Sequence, residues 1–288
     1  MAPFRLFNQG RRAPDTPAEE AARAHHEGVR RAIAEGKLVL RYQPKVNLST
    51  GQVTGVEALA YWPHYYRGPL PQQRILPLND AGLLLYDVTR WMLDAALRQR
   101  QLWHAEGLRL EVAVNVALDL VEEPEIWWNE FLPLFQEGAP ADGALALELS
   151  YNRPVWGEIA QATDLDTVVE GLAPLAAGGV RLILDGVGMV TTPLALLTSL
   201  PVTGLKLDRT LVTDPQANGR SRTVVAALVD LGHRLGLTVA ADAVDDRHTW
   251  EWLGEVGCDI AQGDYISGPL PAADLERWLR TRANRVRS

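Results

Sequence analysis

From residue 38 to the end of the chain, short apolar runs alternate with stretches of helical pattern, and this restricts the fold more than any other feature. Repeated strand–helix units of this length imply parallel strands joined by right-handed crossovers. The first two strands instead form a hairpin around Ser49-Thr50-Gly51. The predicted strands are 38–48, 53–60, 109–116, 144–150, 180–185, 203–208, 237–242 and 259–263; the predicted helices are 83–106, 123–137, 164–177, 193–199, 221–235, 248–256 and 272–285, with 61–79 as a loop.

About eight strands fit both an open doubly wound sheet and a closed barrel, and polar residues decide between them. Near the C-terminal end of each of seven strands, one polar residue interrupts the apolar run. Each of these alone is equally well explained as a turn or cap residue, but together they indicate a shared site. In a barrel such strand ends converge on one face, so we predict an α/β TIM-like (β/α)₈ barrel. The residues are Glu57, Asn115, Glu148, Asp185, Lys206, Asp242 and Gln262.

The residue types in this set indicate metal-assisted chemistry on a phosphoester. Four of them, Glu57, Asn115, Glu148 and Asp185, offer three carboxylates and one amide oxygen. These are hard ligands, which suit Mg²⁺, Mn²⁺ or Ca²⁺ better than Zn²⁺. Beside them, Lys206 could orient a metal-bound water or hold a phosphate oxygen. The alternative for Lys206 is an ion pair with Asp208 at the strand end. The sequence has no P-loop pattern, which excludes a P-loop NTPase.

The composition excludes several other classes of protein. The formal net charge of -8 argues against a general nucleic-acid binder. The single cysteine, Cys258, leaves no internal disulfide, and we expect it in the core. No apolar stretch reaches the roughly 18 residues of a membrane span. Residues 1–17 lack the apolar centre of a secretory signal, so we expect a cytoplasmic protein.

We expect three segments along the chain: a flexible leader at 1–17, an N-terminal helix at 18–36 and the barrel domain at 37–288. In each of the tryptophan pairs Trp127-Trp128 and Trp250/Trp252, we expect at least one ring in the core. The arginines of the last helix are predicted to form its solvated face. They are Arg277, Arg280, Arg282, Arg285 and Arg287.

Several ordered motifs resemble the EAL-domain family, the cyclic di-GMP phosphodiesterases of bacteria. The triplet that names the family is present as Glu57-Ala58-Leu59. The resemblance covers about residues 36 to 280 and implies a barrel with one antiparallel strand, in agreement with the opening hairpin. The other matching stretches are Tyr42-Gln43-Pro44, Leu48-Ser49-Thr50-Gly51, Val114-Asn115-Val116, Leu147-Glu148-Leu149, residues 200–209, Gln262-Gly263-Asp264-Tyr265 and Pro269-Leu270-Pro271.

The resemblance implies a role for each matching residue. Lys206 corresponds to the catalytic lysine, and Asp242 stands at a second catalytic position. The cofactor would be Mg²⁺ or Mn²⁺, with Ca²⁺ as a non-productive substitute. The implied ligands of the first metal are Glu57, Asn115, Glu148 and Asp185. The implied ligand-binding residues are Gln43, Leu59, Tyr61, Asp208, Gln262 and Pro269, and Gln262 also matches a glutamine near the second metal.

Departures from the family pattern predict an impaired enzyme. Where the family has an arginine that grips a phosphate, this chain has the neutral Tyr61. The family's pair of aspartates is reduced to Asp185-Gly186, which removes a carboxylate of the second metal site. Asp242 is one methylene shorter than the usual glutamate, and Tyr151 replaces the glutamate that steadies the loop after β-strand 180–185.

Three hypotheses follow from the resemblance and its departures. The first is a degenerate EAL domain in bacterial cyclic di-GMP signalling, which binds cyclic di-GMP or a protein partner with little or no hydrolysis. The second is an active Mg²⁺- or Mn²⁺-dependent phosphodiesterase that gives linear pGpG. The third is a protein-interaction scaffold that binds no nucleotide. Family members often dimerise through the barrel, so a homodimer is a further expectation.

Overall fold

A computed structural model describes residues 16–64, 68–76, 82–138, 144–151, 165–188, 194–213 and 219–286. Within these ranges the chain forms a closed barrel of eight strands, in the order β1-β9-β8-β7-β6-β5-β4-β2, and β3 adds to the outer edge of β2. The strands are β1 (Val39–Asn47), β2 (Val53–His64), β3 (Gly68–Pro71), β4 (Glu111–Ala117), β5 (Leu145–Ser150), β6 (Arg181–Val187), β7 (Gly204–Leu207), β8 (Thr238–Ala241) and β9 (Ile260–Ala261).

The strand directions confirm the predicted barrel and its antiparallel strand. The first strand, β1, runs antiparallel to both of its neighbours, β2 and β9. The remaining barrel strands pair in parallel, from β2 through β4 to β9. Because parallel strands share one direction, their C-terminal ends open on the same end of the barrel.

Helices follow most strands and cover the outside of the barrel. The N-terminal helix α1 is present as predicted and packs on the barrel domain, where Val29 is fully buried and Arg30 pairs with Asp87 at 2.6 Å. Residues 1–15 of the predicted leader lie outside the described residues. The helices are α1 (Pro17–Ala34), α2 (Gln72–Ile75), α3 (Leu83–Ala105), α4 (Leu118–Val121), α5 (Pro124–Ile126), a π-helical turn (Trp127–Phe131), α6 (Leu132–Gly138), α7 (Leu165–Ala177), α8 (Leu196–Ser199), α9 (Arg209–Val212), α10 (Gly219–Arg234), α11 (Arg247–Glu255) and α12 (Ala272–Val286).

The prediction of a loop over residues 61–79 is wrong for much of that range. Strand β2 continues to His64, and β3 pairs with it antiparallel before the short helix α2 begins. Prolines are tolerated in β3 because an edge strand does not need every N–H for pairing. The Gln72 side chain accepts from the backbone N–H of Ala60 at 3.2 Å, which ties α2 to β2. Residues 65–67 and 77–79 lie outside the described residues.

Between the strands and the helices lies a continuous apolar layer. Trp103 is 1% exposed, meets the ring of Tyr42 edge-on at 4.7 Å, and donates from Nε1 to Glu276 at 2.9 Å. These contacts join α3 to β1 and α12 across the outside of the barrel. Cys258 lies in this layer, as predicted, with 4% exposure.

Each tryptophan pair divides between the core and the surface side, as expected. Trp127 is fully buried and Trp128 is 41% exposed, whereas Trp252 is buried and Trp250 is half-buried. In the last helix, the exposed side chains of Arg277 and Arg280 pair with acidic residues of their own helix. The side chains of Arg285 and Arg287 lie outside the described residues. No helix within the described ranges is long and apolar enough to cross a membrane.

Candidate functional site

The polar residues at the strand ends meet inside the barrel, towards its C-terminal end. The strand register places Gln43 opposite Glu57 across β1 and β2, and Asn115 opposite Glu148 across β4 and β5. Because side chains alternate between the two faces of a strand, each aligned pair points to the same side. Strand β7 contributes Lys206 to the same space. The sequence pattern thus predicted a real convergence.

Glu57 lies at the centre of this group and is only 5% exposed. Its Oε2 accepts hydrogen bonds from Lys206 Nζ at 2.7 Å and from Gln262 Nε2 at 2.6 Å. Its Oε1 accepts from Asn115 Nδ2 at 2.6 Å. Residues from β2, β4, β7 and the end of β9 are therefore in direct contact.

Glu148 is completely buried and is held by two lysines. Its Oε2 accepts from Lys206 Nζ at 2.7 Å, and its Oε1 accepts from Lys45 Nζ. The alternative of an ion pair between Lys206 and Asp208 is therefore not what the structure shows. The chain leaves the barrel wall after Leu207, and Asp208 caps α9 by accepting from the backbone N–H of Thr210 at 2.8 Å.

The charges of these groups stabilise one another. Burial by itself would raise the pKa of Glu57, but the Lys206 and Lys45 ammonium groups outweigh it and lower that pKa to about 2. Burial opposes the charge of Lys206 as well, yet Glu148 and Glu57 keep its pKa well above the ordinary value. Lys206 is therefore a fixed cation at neutral pH and cannot act there as a proton acceptor.

Two further carboxyl groups hold their protons more tightly than usual. Burial, assisted by the charges of Glu148 and Glu57, raises the pKa of Asp185 to about 7. Burial also raises the pKa of Asp242. Each of these two carboxylates accepts from the backbone N–H of the following residue, at 2.7 Å in both cases. A cation that binds Asp185 near pH 7 must compete with a proton there.

The donors fit one divalent cation in kind, because Mg²⁺ and Mn²⁺ prefer carboxylate and amide oxygens. Gln262 Oε1 adds a buried acceptor that has no hydrogen-bond partner among the described residues. Among the described residues, no three His, Cys, Asp or Glu side chains converge closely enough to hold a metal by themselves. The amide and solvent oxygens would therefore complete the set. The predicted ligands lie on neighbouring strands: Glu57 on β2, Asn115 on β4, Glu148 on β5 and Asp185 on β6.

The predicted ligand-binding residues are placed around this group with different contacts. Gln43 accepts from Gln262 Nε2 at 3.0 Å and donates to the backbone carbonyl of Ser267 at 3.3 Å. Pro269 is half-buried and precedes Leu270, which pairs with Tyr42 of β1 through two backbone hydrogen bonds. The segment after β9 therefore lies against β1 at the site.

Two cationic residues of β1 at this site were not among the predicted site residues. Lys45 holds Glu148, and the guanidinium of Arg41 lies 4.7 Å from the ring centroid of Tyr61. Leu59, another predicted residue, is half-buried and stands opposite Arg41 in the strand register. Both cations lie two residues from Gln43, one on each side, so strand alternation was the available signal. They are missed by a search of C-terminal strand ends because β1 runs the other way.

The model of the EAL domain family matches residues 26–269 of this chain. The chain is 32% identical over 263 residues to the bifunctional diguanylate cyclase/cyclic di-GMP phosphodiesterase MucR of Pseudomonas aeruginosa, covering 90% of this chain and 36% of that protein. It is 30% identical over 241 residues to the cyclic di-GMP phosphodiesterase PA2567 of the same species, covering 84% of this chain and 40% of that protein. The chain thus spans roughly a third of the length of the curated relatives it matches.

Solved structures show the same architecture. A complex of the PaMucR phosphodiesterase with c-di-GMP superimposes with a TM-score of 0.76 at 30% identity, covering 88% of this chain and 99% of that one. The Xanthomonas citri FimX EAL domain in complex with c-diGMP superimposes with a TM-score of 0.72 at 19% identity, covering 89% and 97%. The second similarity supports the fold alone.

Proposed function

Because the chain belongs to the EAL domain family, we propose that it acts in bacterial cyclic di-GMP signalling by binding cyclic di-GMP with little or no hydrolysis. The binding site is the C-terminal mouth of the barrel, where Gln43, Glu57 and Gln262 form one hydrogen-bonded group. The similarity to a phosphodiesterase whose structure holds c-di-GMP supports this ligand. The proposed setting is the cytoplasm, and the proposed output is a contact with a protein partner or a second copy of the chain.

The observation that carries the proposal is the residue after Asp185. Gly186 has no side chain and adopts a φ of 67°, a left-handed conformation that glycine adopts readily. Phosphoester hydrolysis at a two-metal site uses one cation at the attacking oxygen and one at the leaving oxygen. Without a donor at residue 186, the described oxygens suit a single cation. We therefore expect the chain to bind cyclic di-GMP with little or no hydrolysis.

The residues of this chain would bind and orient the ligand. A bound Mg²⁺ or Mn²⁺, held by Glu57, Asn115, Glu148 and Asp185, would supply Lewis-acid activation of a water. Lys206 would orient acceptor oxygens as a fixed cation, because its pKa is held well above the ordinary value. Asp242, whose pKa is raised by burial, would hold a proton longer than an exposed aspartate.

Calorimetry with cyclic di-GMP, paired with a product assay, tests the proposal. The purified chain is titrated in EDTA and then with Mg²⁺, Mn²⁺ or Ca²⁺, and each mixture is analysed for linear pGpG. We expect micromolar binding and no measurable product. As a control for the site, Gln262→Ala should weaken binding, whereas Arg234→Ala, in the helix that precedes β8, should leave it unchanged.

The second candidate is an active phosphodiesterase, favoured by the contact of Lys206 with both Glu57 and Glu148. Turnover to pGpG that depends on Mg²⁺ or Mn²⁺ and is lost in Glu57→Ala would establish it in place of the binding function. A folded chain that binds no cyclic di-GMP would instead favour the nucleotide-independent scaffold. The three outcomes of one experiment are therefore distinct.

A further inference from the structure

Arg41 and Tyr61 form a cation–aromatic pair on the hairpin of β1 and β2. The guanidinium carbon of Arg41 lies 4.7 Å from the centroid of the Tyr61 ring, within the distance at which such pairs attract. In the register, Arg41 stands opposite Leu59, and Tyr61 stands opposite Val39. The two side chains are therefore diagonal neighbours, and both are half-buried.

The pair faces the same space as the proposed ligand site. The register of β1 and β2 is regular from Val39 to Lys45, so residues two apart share a face. Arg41 is two residues from Gln43, which contacts Gln262 in the barrel interior. Since β1 is antiparallel to β2, moving from Gln43 to Arg41 moves towards the C-terminal end of β2. The guanidinium therefore stands above the Glu57 group, at the mouth.

Arg41 differs from the other cations inside the barrel in its partners. Lys45, Lys206 and Arg181 each form an ion pair with a glutamate. Within the described ranges, no carboxylate forms an ion pair with Arg41, and its guanidinium lies over the Tyr61 ring. A guanidinium that lies against a ring keeps its N–H groups available in the plane of the fork, where phosphate oxygens bind in pairs.

We propose that Arg41, held against Tyr61, binds a phosphodiester of the nucleotide at the barrel mouth. The ring fixes the guanidinium, and the phosphate supplies the anionic partner that the described residues do not provide. The proposal rests on the proposed function and deepens it, because it assigns the charge recognition of the ligand. It makes Arg41 a ligand-binding residue and Tyr61 a positioning residue.

The test compares the wild-type chain with Arg41→Ala, Arg41→Lys and Tyr61→Leu, using cyclic di-GMP and GMP as probes in calorimetry at low and high salt. Arg234→Ala is the matched control, because its side chain is 75% exposed and lies in the helix that precedes β8. We expect Arg41→Ala to raise the Kd for cyclic di-GMP on the order of tenfold or more. We expect Arg41→Lys and Tyr61→Leu to raise it several-fold.

Salt dependence separates charge recognition from a structural role. Wild-type affinity should fall more steeply with ionic strength than that of Arg41→Ala, because the variant lacks the charge that salt screens. If Arg41→Ala lowers the melting temperature, the Kd of Arg41→Lys is compared with that of the wild type instead, because lysine keeps the charge and most of the packing. Tyr61→Phe, which keeps the ring, should lose less affinity than Tyr61→Leu.

Each outcome decides between the inference and its alternatives. Wild-type binding with a Kd for Arg41→Ala within twofold, or with an unchanged salt dependence, overturns the role of Arg41 and leaves the proposed function intact. A folded wild-type chain that binds neither cyclic di-GMP nor GMP overturns both. Loss of affinity in Arg41→Ala with a flatter salt dependence, and none in Arg234→Ala, supports the inference.

Discussion

Two neighbouring residues of β5 show how the inside of the barrel differs from the layer outside it. Leu147 and Glu148 are both completely buried. Leu147 faces the apolar layer under the helices, whereas Glu148 faces inward between two lysine ammonium groups. Burial alone therefore says little about what stabilises a residue here: the outer layer depends on packing, and the inner one depends on balanced charge.

The inside of the barrel is itself layered. A small apolar group formed by Ala113, Ala146 and Ile183 is separate from the main core. On the N-terminal side of this group, Arg181 pairs with Glu111 at 2.9 Å beside an open groove of about 570 Å³. On the other side lies the ionic group of the candidate site. The thin apolar layer keeps the two charged layers apart, and the active sites of barrels of this kind lie at the C-terminal end.

The largest expected effect comes from breaking the outer layer. Trp127 is fully buried, stacks on Phe131 at 5.5 Å and donates to the carbonyl of Gly171 at 2.8 Å. We expect Trp127→Ala to lower the free energy of unfolding by about 3–5 kcal/mol, as measured by urea denaturation. Its neighbour is the control: Trp128, 41% exposed, should change stability by less than about 1 kcal/mol when replaced by alanine. Equal losses in both variants would contradict the packing argument.

The inner layer should instead respond to pH. Because the pKa of Asp185 is raised to about 7 in the folded state, the folded chain binds more protons than the unfolded chain between about pH 4 and pH 7. The free energy of unfolding in EDTA should therefore fall as the pH rises from about 4 to about 7, by no more than about 4 kcal/mol. The lowered pKa of Glu57 acts oppositely, with stability lost as the pH falls from about 4.5 towards about 2. In urea denaturation, the stability of Asp185→Asn should not fall as the pH rises from about 4 to about 7.

A smaller effect is expected from removing one ammonium group of the inner layer. Lys45→Met leaves Glu148 with Lys206 as its remaining charged partner. We expect a loss of about 1–3 kcal/mol in the free energy of unfolding. Lys37→Met removes an equal charge from a side chain that is 63% exposed, paired with Glu35, and should be nearly neutral. If both variants keep wild-type stability, the inner layer does not depend on charge balance.

The smallest expected change in stability comes from Gly186→Asp, which also tests most directly why the chain would lack hydrolysis. Gly186→Asp adds a carboxylate beside Asp185 at a φ of 67°, at a cost of about 1 kcal/mol. Gly51 in the hairpin turn has the same φ of 67°, so Gly51→Asp is the control for strain alone. We expect Gly186→Asp to gain Mg²⁺- or Mn²⁺-dependent formation of pGpG, while Gly51→Asp gains none. Product chromatography and thermal melts measure the two effects, and no gain in the folded Gly186→Asp would argue against the missing donor as the cause.

Much of the site was predictable because parallel strands present their ends together. The isolated polar residues after apolar runs identified Glu57, Asn115, Glu148 and Lys206, and the structure places them in contact. The same rule missed Lys45, because β1 runs antiparallel and its inward residues are not at a C-terminal end. Proline content led to a loop prediction where an edge strand, β3, forms on β2.

The sequence alone specified the order of strands and helices and the polar residues at the strand ends, because hydrophobic periodicity is a local property of the chain. The shared position of those polar residues also favoured the closed barrel. It also determined that residue 186 carries no donor. The folded structure was needed to establish which charges pair: Lys206 with Glu57 and Glu148 rather than with Asp208. It also decided that Arg41 lies on Tyr61. Pairing depends on the distance between side chains from different strands, and barrel closure fixes that distance.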